Sequence, residues 1–208
     1  MVAPPAEPPT DADPVLHVVV LAAGASTRFG SPKQLVRLDG RPLLHRAVSQ
    51  AAEVAGQAVS VILGAHAAEL APLLRHTSVS VLVNRTWSEG LASSIRLGVA
   101  HLPPSCDGVL LTLADQAAVT VSDLRRLYSV WRRDPHRIVA SRYEGAVGVP
   151  AIFPRSEFAA LAALRGDRGA RSLLQGRSDQ IIAIDLANAA IDIDTPEDLL
   201  RLTASPPR

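Results

Sequence analysis

Small and basic residues follow one another in the segment GASTRFGSPK (24–33), here termed the glycine loop. Glycine and other small residues let the backbone approach a ligand closely, and successive backbone N–H groups can hold a phosphate. Arg28 and Lys33 add the positive charge that a polyphosphate requires. The segment therefore either binds a phosphorylated ligand or is an ordinary loop between a strand and a helix with two exposed bases.

Two common phosphate-binding motifs do not match the glycine loop. The dinucleotide motif Gly-x-Gly-x-x-Gly needs a glycine that is missing between Gly24 and Gly30. The Walker motif needs Gly-Lys, whereas Pro32 precedes Lys33. An oxidoreductase that binds a dinucleotide here is disfavoured, also because no well-placed acid follows the second predicted strand.

Asp115 ends an apolar segment, GVLLTLAD (108–115). An acid at the carboxyl end of a buried parallel strand packs poorly. It suits Mg²⁺, which prefers oxygen ligands and commonly uses one or two carboxylates together with substrate phosphates. Asp115 is therefore either a metal ligand or the cap of the following turn.

A second group of acids lies near the end of the chain, in DIDTPED (192–198). Asp192 and Asp194 alternate along an extended segment, so their side chains share a face. Thr195 is a typical helix cap, and Pro196 suits a first helical turn. The acids can accordingly also serve as a cluster that stabilises the start of the last helix.

Alternating strands and helices must position these residues. Four segments rich in valine and leucine have the composition of strands buried on both faces: VLHVVVLAA, AVSVILG, VSVLVN and GVLLTLAD. Segments between them predict helices, such as VSDLRRLYSVWRR with Thr120 or Ser122 as its cap. The pattern predicts an α/β fold, with a mostly parallel twisted sheet wrapped by helices on both faces. Ligands bind beyond the carboxyl ends of the strands in such sheets.

Composition excludes several other classes of protein. The chain has 208 residues, 48% of them hydrophobic, a net charge of +1 and one cysteine, Cys106. The balanced charge argues against a dedicated nucleic-acid or membrane surface. No apolar run reaches the roughly 18 to 20 residues of a membrane span. We expect a disordered arm over residues 1–14, a single domain over residues 15–204 and a cytoplasmic location, because no signal peptide is recognisable and a single cysteine suits a reducing compartment.

Residues 21–33 fit the pattern Leu-Ala-Ala-Gly-x-Ser-x-Arg-x-Gly-x-x-Lys, which resembles the signature of molybdenum cofactor cytidylyltransferases and their guanylyltransferase relatives. Three further segments resemble the same family: NRTWSEGLASSI (84–95), the Gly-x-Pro stretch at 148–150, and GDRGAR (166–171). Together they cover most of the chain from about residue 16 to the last helix. The resemblance implies a three-layer Rossmann-like nucleotidyltransferase fold.

The resemblance also implies catalytic and metal-binding roles. Lys33, Arg28 and Asp115 would be the catalytic residues, and the implied cofactor is Mg²⁺. Asp115 and Asp194 would be its ligands; Asp194 is favoured over Asp192 because related cytidylyltransferases carry Asp-Thr-Pro at that place.

Substrate contacts are implied in the same way. The nucleotide would be bound by Leu21, Ala22, Ala23, Gly24, Ser26, Arg28, Lys33, Asn84, Ser93 and Ser94. Gly148 and Pro150 would face the acceptor. Without the family resemblance, the residues have other interpretations. Ser93 and Ser94 can be serines that a helix tolerates, and Gly148 can mark a bulge.

The implied reaction transfers CMP from CTP to a terminal phosphate of molybdopterin and releases pyrophosphate, with a molybdoenzyme as a possible recipient of the product. The acceptor phosphate is ionised near neutral pH, so no strong general base is needed. Cytidylyl members read Leu-Ala-Ala-Gly where guanylyl members more often read Leu-Ala-Gly-Gly, so Ala23 favours CTP. The alternatives are a GTP-using guanylyltransferase and a non-catalytic carrier or chaperone of molybdopterin.

Overall fold

The valine-rich segment after Pro14 forms the central strand β1 (Leu16–Ala22), and every residue of it is buried. In the computed structural model, which describes residues 13–167, 169–175, 177, 181–193 and 195–204, this strand has a neighbour on each side. Alternate side chains enter two separate cores: Val18 and Val20 pack on one face of the sheet, Val19 and Leu21 on the other. Burial on both faces explains why the segment reads as a continuous apolar run.

The described strands confirm a mostly parallel sheet. After β1 they are β2 (Arg37–Leu38), β3 (Arg41–Pro42), β4 (Val59–Leu63), β5 (Ser80–Val83), β6 (Gly108–Leu113), β7 (Ile138–Tyr143), β8 (Ala146–Pro154) and β9 (Ile181–Asp185). Seven of them form one sheet in the order β5-β4-β1-β6-β8-β7-β9, and β2 pairs with β3 in a separate hairpin. Only β8 runs antiparallel to its neighbours β6 and β7 among these seven described strands. The carboxyl ends of β1 and β6 therefore meet at one edge.

Helices cover both faces of the sheet. They are α1 (Leu43–Ala55), α2 (Ala67–Leu70), α3 (Leu91–Ala100), α4 (Val121–Trp131), α5 (Phe158–Ala162), α6 (Arg171–Leu174) and α7 (Pro196–Ala204). The first two and α4 pack against one face, whereas α3, α5 and α6 pack against the other, which gives the three predicted layers. Among the described helices, none is long and apolar enough to cross a membrane.

Local sequence signals explain where several helices begin and end. The α-helix α2 continues only as a 3-10 turn over Ala71–Leu74, because Pro72 has no N–H to donate. Thr120 caps α4 in a reciprocal arrangement with Asp123. At α7, the Thr195 backbone N–H donates to Asp198 Oδ2 over 2.9 Å, so Asp198 serves the helix cap rather than a metal.

A buried histidine gives the fold a defined pH dependence. His17 on β1 is 7% exposed, its Nε2 lies 2.9 Å from Ser60 Oγ, and its Nδ1 has no partner within the described residues. Burial lowers the pKa of His17 below its ordinary value of 6.5, because the charged ring loses its hydration. Below about pH 6.5 the unfolded chain binds a proton that the folded chain resists, so the free energy of unfolding should fall as the pH decreases.

Denaturant unfolding between pH 5 and 8 measures this effect. We expect the free energy of unfolding to be fully retained above the ordinary histidine pKa and to fall on the acid side. In His17→Asn, which cannot titrate, that acid-side slope should be smaller. Equal slopes for the wild type and the variant would assign the loss of stability to other groups.

Candidate active site

A cleft of about 410 Å³ opens at the carboxyl ends of β1 and β6. One wall is the end of β1 with the glycine loop, and another is the segment 87–94 before and within α3, beside which Asp167 lies. The end of β6 also lines the cleft. Of the residues predicted from the sequence, the following line the cleft: Leu21, Ala22, Ala23, Gly24, Ser26, Arg28, Lys33, Ser94 and Asp115. The strand-end rule therefore brought the glycine loop and Asp115 into one site.

An ion pair in the cleft joins Lys33 and Asp115. The Lys33 ammonium pairs directly with the Asp115 carboxylate, and their side chains are only 14% and 22% exposed. Lys33 is the only lysine of the chain, in which twenty of the twenty-one basic residues are arginines. When a nucleoside triphosphate and a divalent cation bind, a negatively charged phosphate can replace Asp115 beside Lys33. The cation can then replace Lys33 beside Asp115. Asp115 offers the oxygen donors that Mg²⁺ prefers.

A buried glutamine supports the glycine loop from below. Gln34 is 3% exposed, and its Nε2 donates to the carbonyl oxygens of Ala22 over 3.3 Å and Gly24 over 3.2 Å. Its Oε1 accepts from Ser26 Oγ over 3.3 Å. Ser26 has a φ of 53°, and its hydroxyl accepts from the Lys33 backbone N–H over 3.2 Å. Sequence analysis missed Gln34, because neither its type nor its spacing indicates burial beneath a loop.

The loop after β4 holds the beginning of the glycine loop. The Ala65 N–H donates to Ala23 O over 3.1 Å, and His66 Nε2 lies 3.0 Å from Ala25 O. His66 thus helps to position the glycine loop. A Cβ on Gly64 would lie 2.5 Å from Ala23 O and 2.8 Å from the Cβ of Trp87, which lines the cleft. Only glycine fits between these two walls.

Gly64→Ala is therefore expected to displace Ala23 and the start of the glycine loop. Overpacking of this kind typically costs about 1 to 3 kcal/mol of unfolding free energy, and nucleotide affinity should fall with it. Gly24→Ala is the control for stability, because its Cβ would meet nothing within 4 Å. Urea unfolding and nucleotide titration of both variants test the contact; equal stability of the two would show that the loop can shift without cost.

Asn84 organises the wall opposite the glycine loop. It is 4% exposed, and its Nδ2 donates to Ser93 Oγ over 2.8 Å and Ser94 Oγ over 2.9 Å. Its Oδ1 accepts from the backbone N–H of Thr86 over 3.0 Å. Asn84 and Ser93 do not line the cleft, whereas Ser94 does. The network fixes the first turn of α3 at the cleft, and within it Asn84 and Ser93 are buried behind Ser94.

The Gly-x-Pro stretch lies on β8, outside the lining of this cleft. Gly148 and Pro150 are buried, and a Cβ on Gly148 would lie 2.3 Å from the Tyr143 hydroxyl. That hydroxyl donates to Val149 O over 3.1 Å. The register between β7 and β8 shifts at this place, as the bulge interpretation of Gly148 expected. Gly148 therefore makes room for Tyr143.

The second predicted metal ligand, Asp194, lies outside the described residues. Ile193, its neighbour in the chain, donates its N–H to Asp115 O over 3.1 Å. Asp192 is exposed, and its charge adds to burial in raising the pKa of Tyr143. Within the described part of the chain, no three His, Cys, Asp or Glu side chains are grouped to hold a metal ion.

Gln116 ties this terminal segment to the sheet. Its Nε2 donates to Val149 O over 2.9 Å and to Ala189 O over 3.0 Å, and the side chain is 4% exposed. It thereby joins the end of β6, the Gly-x-Pro stretch and the turn that precedes Asp192. Gln116 therefore contacts the regions in which the metal ligands and the acceptor contacts were predicted.

Comparison with known proteins places the chain among nucleotide-binding relatives. A family model described as the MobA-like NTP transferase domain matches residues 18–181. Nicotine blue oxidoreductase of Paenarthrobacter nicotinovorans is 30% identical over 200 residues, which are 91% of this chain and 97% of that protein. The crystal structure of Rv0371c from Mycobacterium tuberculosis H37Rv has a TM-score of 0.78 at 31% identity, covering 93% of this chain and 100% of that chain. A complex of Rv0371c with manganese gives 0.77 at 28% identity over 93% and 100% of the two chains.

Proposed function

Because the chain belongs to the family of MobA-like NTP transferase domains, we propose that it transfers CMP from CTP to the phosphate of molybdopterin and releases pyrophosphate. The observation that carries this proposal is the pair of Lys33 and Asp115 at the end of the glycine loop. This pair places a phosphate-binding cation next to a metal-binding carboxylate in the cleft that the glycine loop lines. The product would be molybdopterin cytosine dinucleotide.

The residues of the cleft support a mechanism based on alignment and charge. Backbone N–H groups of the glycine loop, Arg28 and Lys33 bind the triphosphate and stabilise the negative charge that builds on pyrophosphate as it leaves. An ionised acceptor phosphate attacks the α-phosphorus in line, so no side chain has to remove a proton.

We assign the metal site to Asp115 and Asp194. Carboxylate oxygens suit Mg²⁺, and the hydrogen bond from Ile193 to Asp115 O brings the chain next to Asp115 one residue before Asp194. When bound, the ion supplies charge neutralisation and a template for the phosphate oxygens. Manganese is bound in a structure of the relative Rv0371c, which supports a divalent cation in this protein.

Ala23→Gly should relax the preference for CTP. Ala23 is 7% exposed at the point where the chain leaves β1, and its Cβ limits how the backbone turns and how deeply a base can enter. A purine is larger than a pyrimidine, so the ratio of kcat/KM for CTP to that for GTP should fall roughly tenfold, about 1.4 kcal/mol. Ala25→Gly controls for added loop flexibility. An unchanged ratio in Ala23→Gly would place base selection elsewhere.

The experiment that tests the proposed reaction uses purified protein, molybdopterin, Mg²⁺ and each of the four ribonucleoside triphosphates. Pyrophosphate release that depends on molybdopterin and is fastest with CTP is the expected result. A preference for GTP would make the protein a guanylyltransferase. Molybdopterin binding without pyrophosphate release from any triphosphate would make it a carrier.

Oxidoreduction is a second candidate function, favoured by the similarity to nicotine blue oxidoreductase over 97% of that protein. The glycine loop lacks the middle glycine of the dinucleotide motif, which disfavours a dinucleotide in this cleft. Titration with NADH and NADPH discriminates between the two functions. Tight binding of either cofactor that CTP displaces would favour oxidoreduction.

A further inference from the structure

A second cleft of about 500 Å³ lies beside the nucleotide cleft and shares Asp167 with it. Among the described residues, Arg171, Ser172 and Gln175 also line it, and all three have polar side chains. Helix α6, which begins at Arg171, packs against β8, the strand of the Gly-x-Pro stretch. The cleft therefore continues the nucleotide site toward the region where an acceptor was expected.

Arg171 brings a positive charge to this second cleft. Its side chain is exposed, and within the described residues it forms no ion pair, whereas nearby Arg177 pairs with Glu157 over 2.6 Å. Its charge acts on the Tyr143 hydroxyl and opposes the rise in pKa that burial causes there. Arg171 thus lies within electrostatic reach of a hydroxyl that packs over Gly148.

Asp167, the acid in the lining of the second cleft, lies beside the start of a helix. A Cβ on Gly90 would lie 2.2 Å from Asp167 Oδ1, so the carboxylate packs directly against Gly90. Gly90 immediately precedes the ten-residue helix α3. The start of a helix stabilises a negative charge, so Asp167 is partly compensated where it stands. Arg171 remains available to an anion in the cleft.

Nucleotidyl transfer brings two anions together, so a cation on the acceptor side would favour it. In an in-line displacement the attacking and leaving oxygens lie on opposite sides of the α-phosphorus. Arg28 and Lys33 belong to the glycine-loop wall, where pyrophosphate would leave. We therefore place the acceptor phosphate on the side of Asp167, the residue that the two clefts share. The negative charge of this phosphate is repelled by the triphosphate unless a cation offsets that repulsion.

We propose that Arg171, with Ser172 and Gln175, forms a subsite for a phosphate monoester and holds the phosphate of the acceptor beside the nucleotide. A guanidinium binds phosphate through two parallel hydrogen bonds, and hydroxyl and amide groups can donate further ones. This inference rests on the proposed function for the reaction. An acceptor oxygen forms the new bond to the α-phosphorus, the bond to the bridging oxygen breaks, and pyrophosphate leaves with that electron pair.

The kinetic test compares Arg171→Ala with Arg165→Ala, an exposed arginine that is not part of either cleft lining. Loss of a charged hydrogen bond to phosphate should raise the KM for the acceptor at least about tenfold in Arg171→Ala. The KM for CTP should stay within about twofold. Arg171→Lys should recover part of the loss, because it keeps the charge but not the paired geometry. Equal acceptor KM values for Arg171→Ala and Arg165→Ala would overturn the subsite.

A binding test is independent of turnover. With the glycine loop filled by a non-hydrolysable CTP analogue, inorganic phosphate is titrated by calorimetry. The wild type and Arg165→Ala should bind phosphate, and Arg171→Ala should not. No binding by the wild type, or equal binding by Arg171→Ala, would overturn the subsite. Phosphate binding that depends on Arg171 in a protein without transferase activity would support the subsite and contradict the proposed reaction.

Discussion

Asp115→Asn is expected to lower kcat by on the order of 10³-fold or more, with the fold intact. Asparagine keeps the size of the side chain but loses the charge that pairs with Lys33 and that a divalent cation requires. The backbone of residue 115 keeps its hydrogen bonds, in which Asp115 O accepts from the N–H groups of Ala117 over 2.8 Å and Ile193 over 3.1 Å. The local turn should therefore survive.

We test this prediction with three measurements on the same variant: pyrophosphate release, thermal unfolding and molybdopterin binding. The control is Asp185→Asn, which removes an acid that pairs with Arg142 on an exposed surface. We expect lost turnover, a cooperative unfolding transition and retained acceptor binding in Asp115→Asn, with a lower unfolding temperature because the ion pair with Lys33 is lost. Near-normal pyrophosphate release would remove Asp115 from the metal site.

Lys33→Ala is expected to reduce kcat/KM for the nucleotide by about 10²- to 10³-fold, roughly 2.7 to 4 kcal/mol. The Lys33 side chain is only 14% exposed, so its charge is less screened than in water. Acceptor binding should change far less, because Lys33 lies on the glycine-loop wall. Changes within about threefold in both KM and kcat, under ~0.7 kcal/mol, would make Lys33 a surface residue.

The chain allows a test of Lys33 without mutation. Since Lys33 is its only lysine, an amine-specific reagent can modify one side chain, besides the N-terminal amine. CTP with Mg²⁺ should protect Lys33 from modification, while molybdopterin alone should not. Peptide mass spectrometry measures the modified fraction, and Lys33→Arg supplies the unlabelled control. Equal labelling with and without CTP would mean that the nucleotide does not cover Lys33.

The sequence predicts the sheet, and the position of the glycine loop and Asp115 at its edge, because both follow from local patterns. Burial on both faces gives β1 and β6 their unbroken apolar runs, and the strand-end rule then places Lys33 and Asp115 together. Gln34 and Gly64 could not be found in this way. Their roles depend on contacts with Ala22, Ala23, Gly24 and Trp87 that no periodicity encodes.

The roles of the polar residues in segment 84–94 were harder to predict than the roles of those in the glycine loop. Asn84 and Ser93 belong to a segment that resembles a nucleotide-binding motif, yet they hydrogen-bond to each other beneath the wall. A polar motif residue can thus position a neighbour that lines the cleft, as Asn84 does with Ser94. Asp167 is the opposite case. The sequence predicted no role for it, yet it lines both clefts.

The central claim is that this cleft transfers a nucleotidyl group, and the fate of labelled CTP tests it most directly. Wild-type protein is incubated with molybdopterin, Mg²⁺ and CTP labelled at either the α- or the γ-phosphorus. We predict that the α label appears in the molybdopterin product and the γ label in pyrophosphate, in equal amounts. Transfer of the γ label to the acceptor, or no acceptor-dependent movement of the α label, would contradict the account.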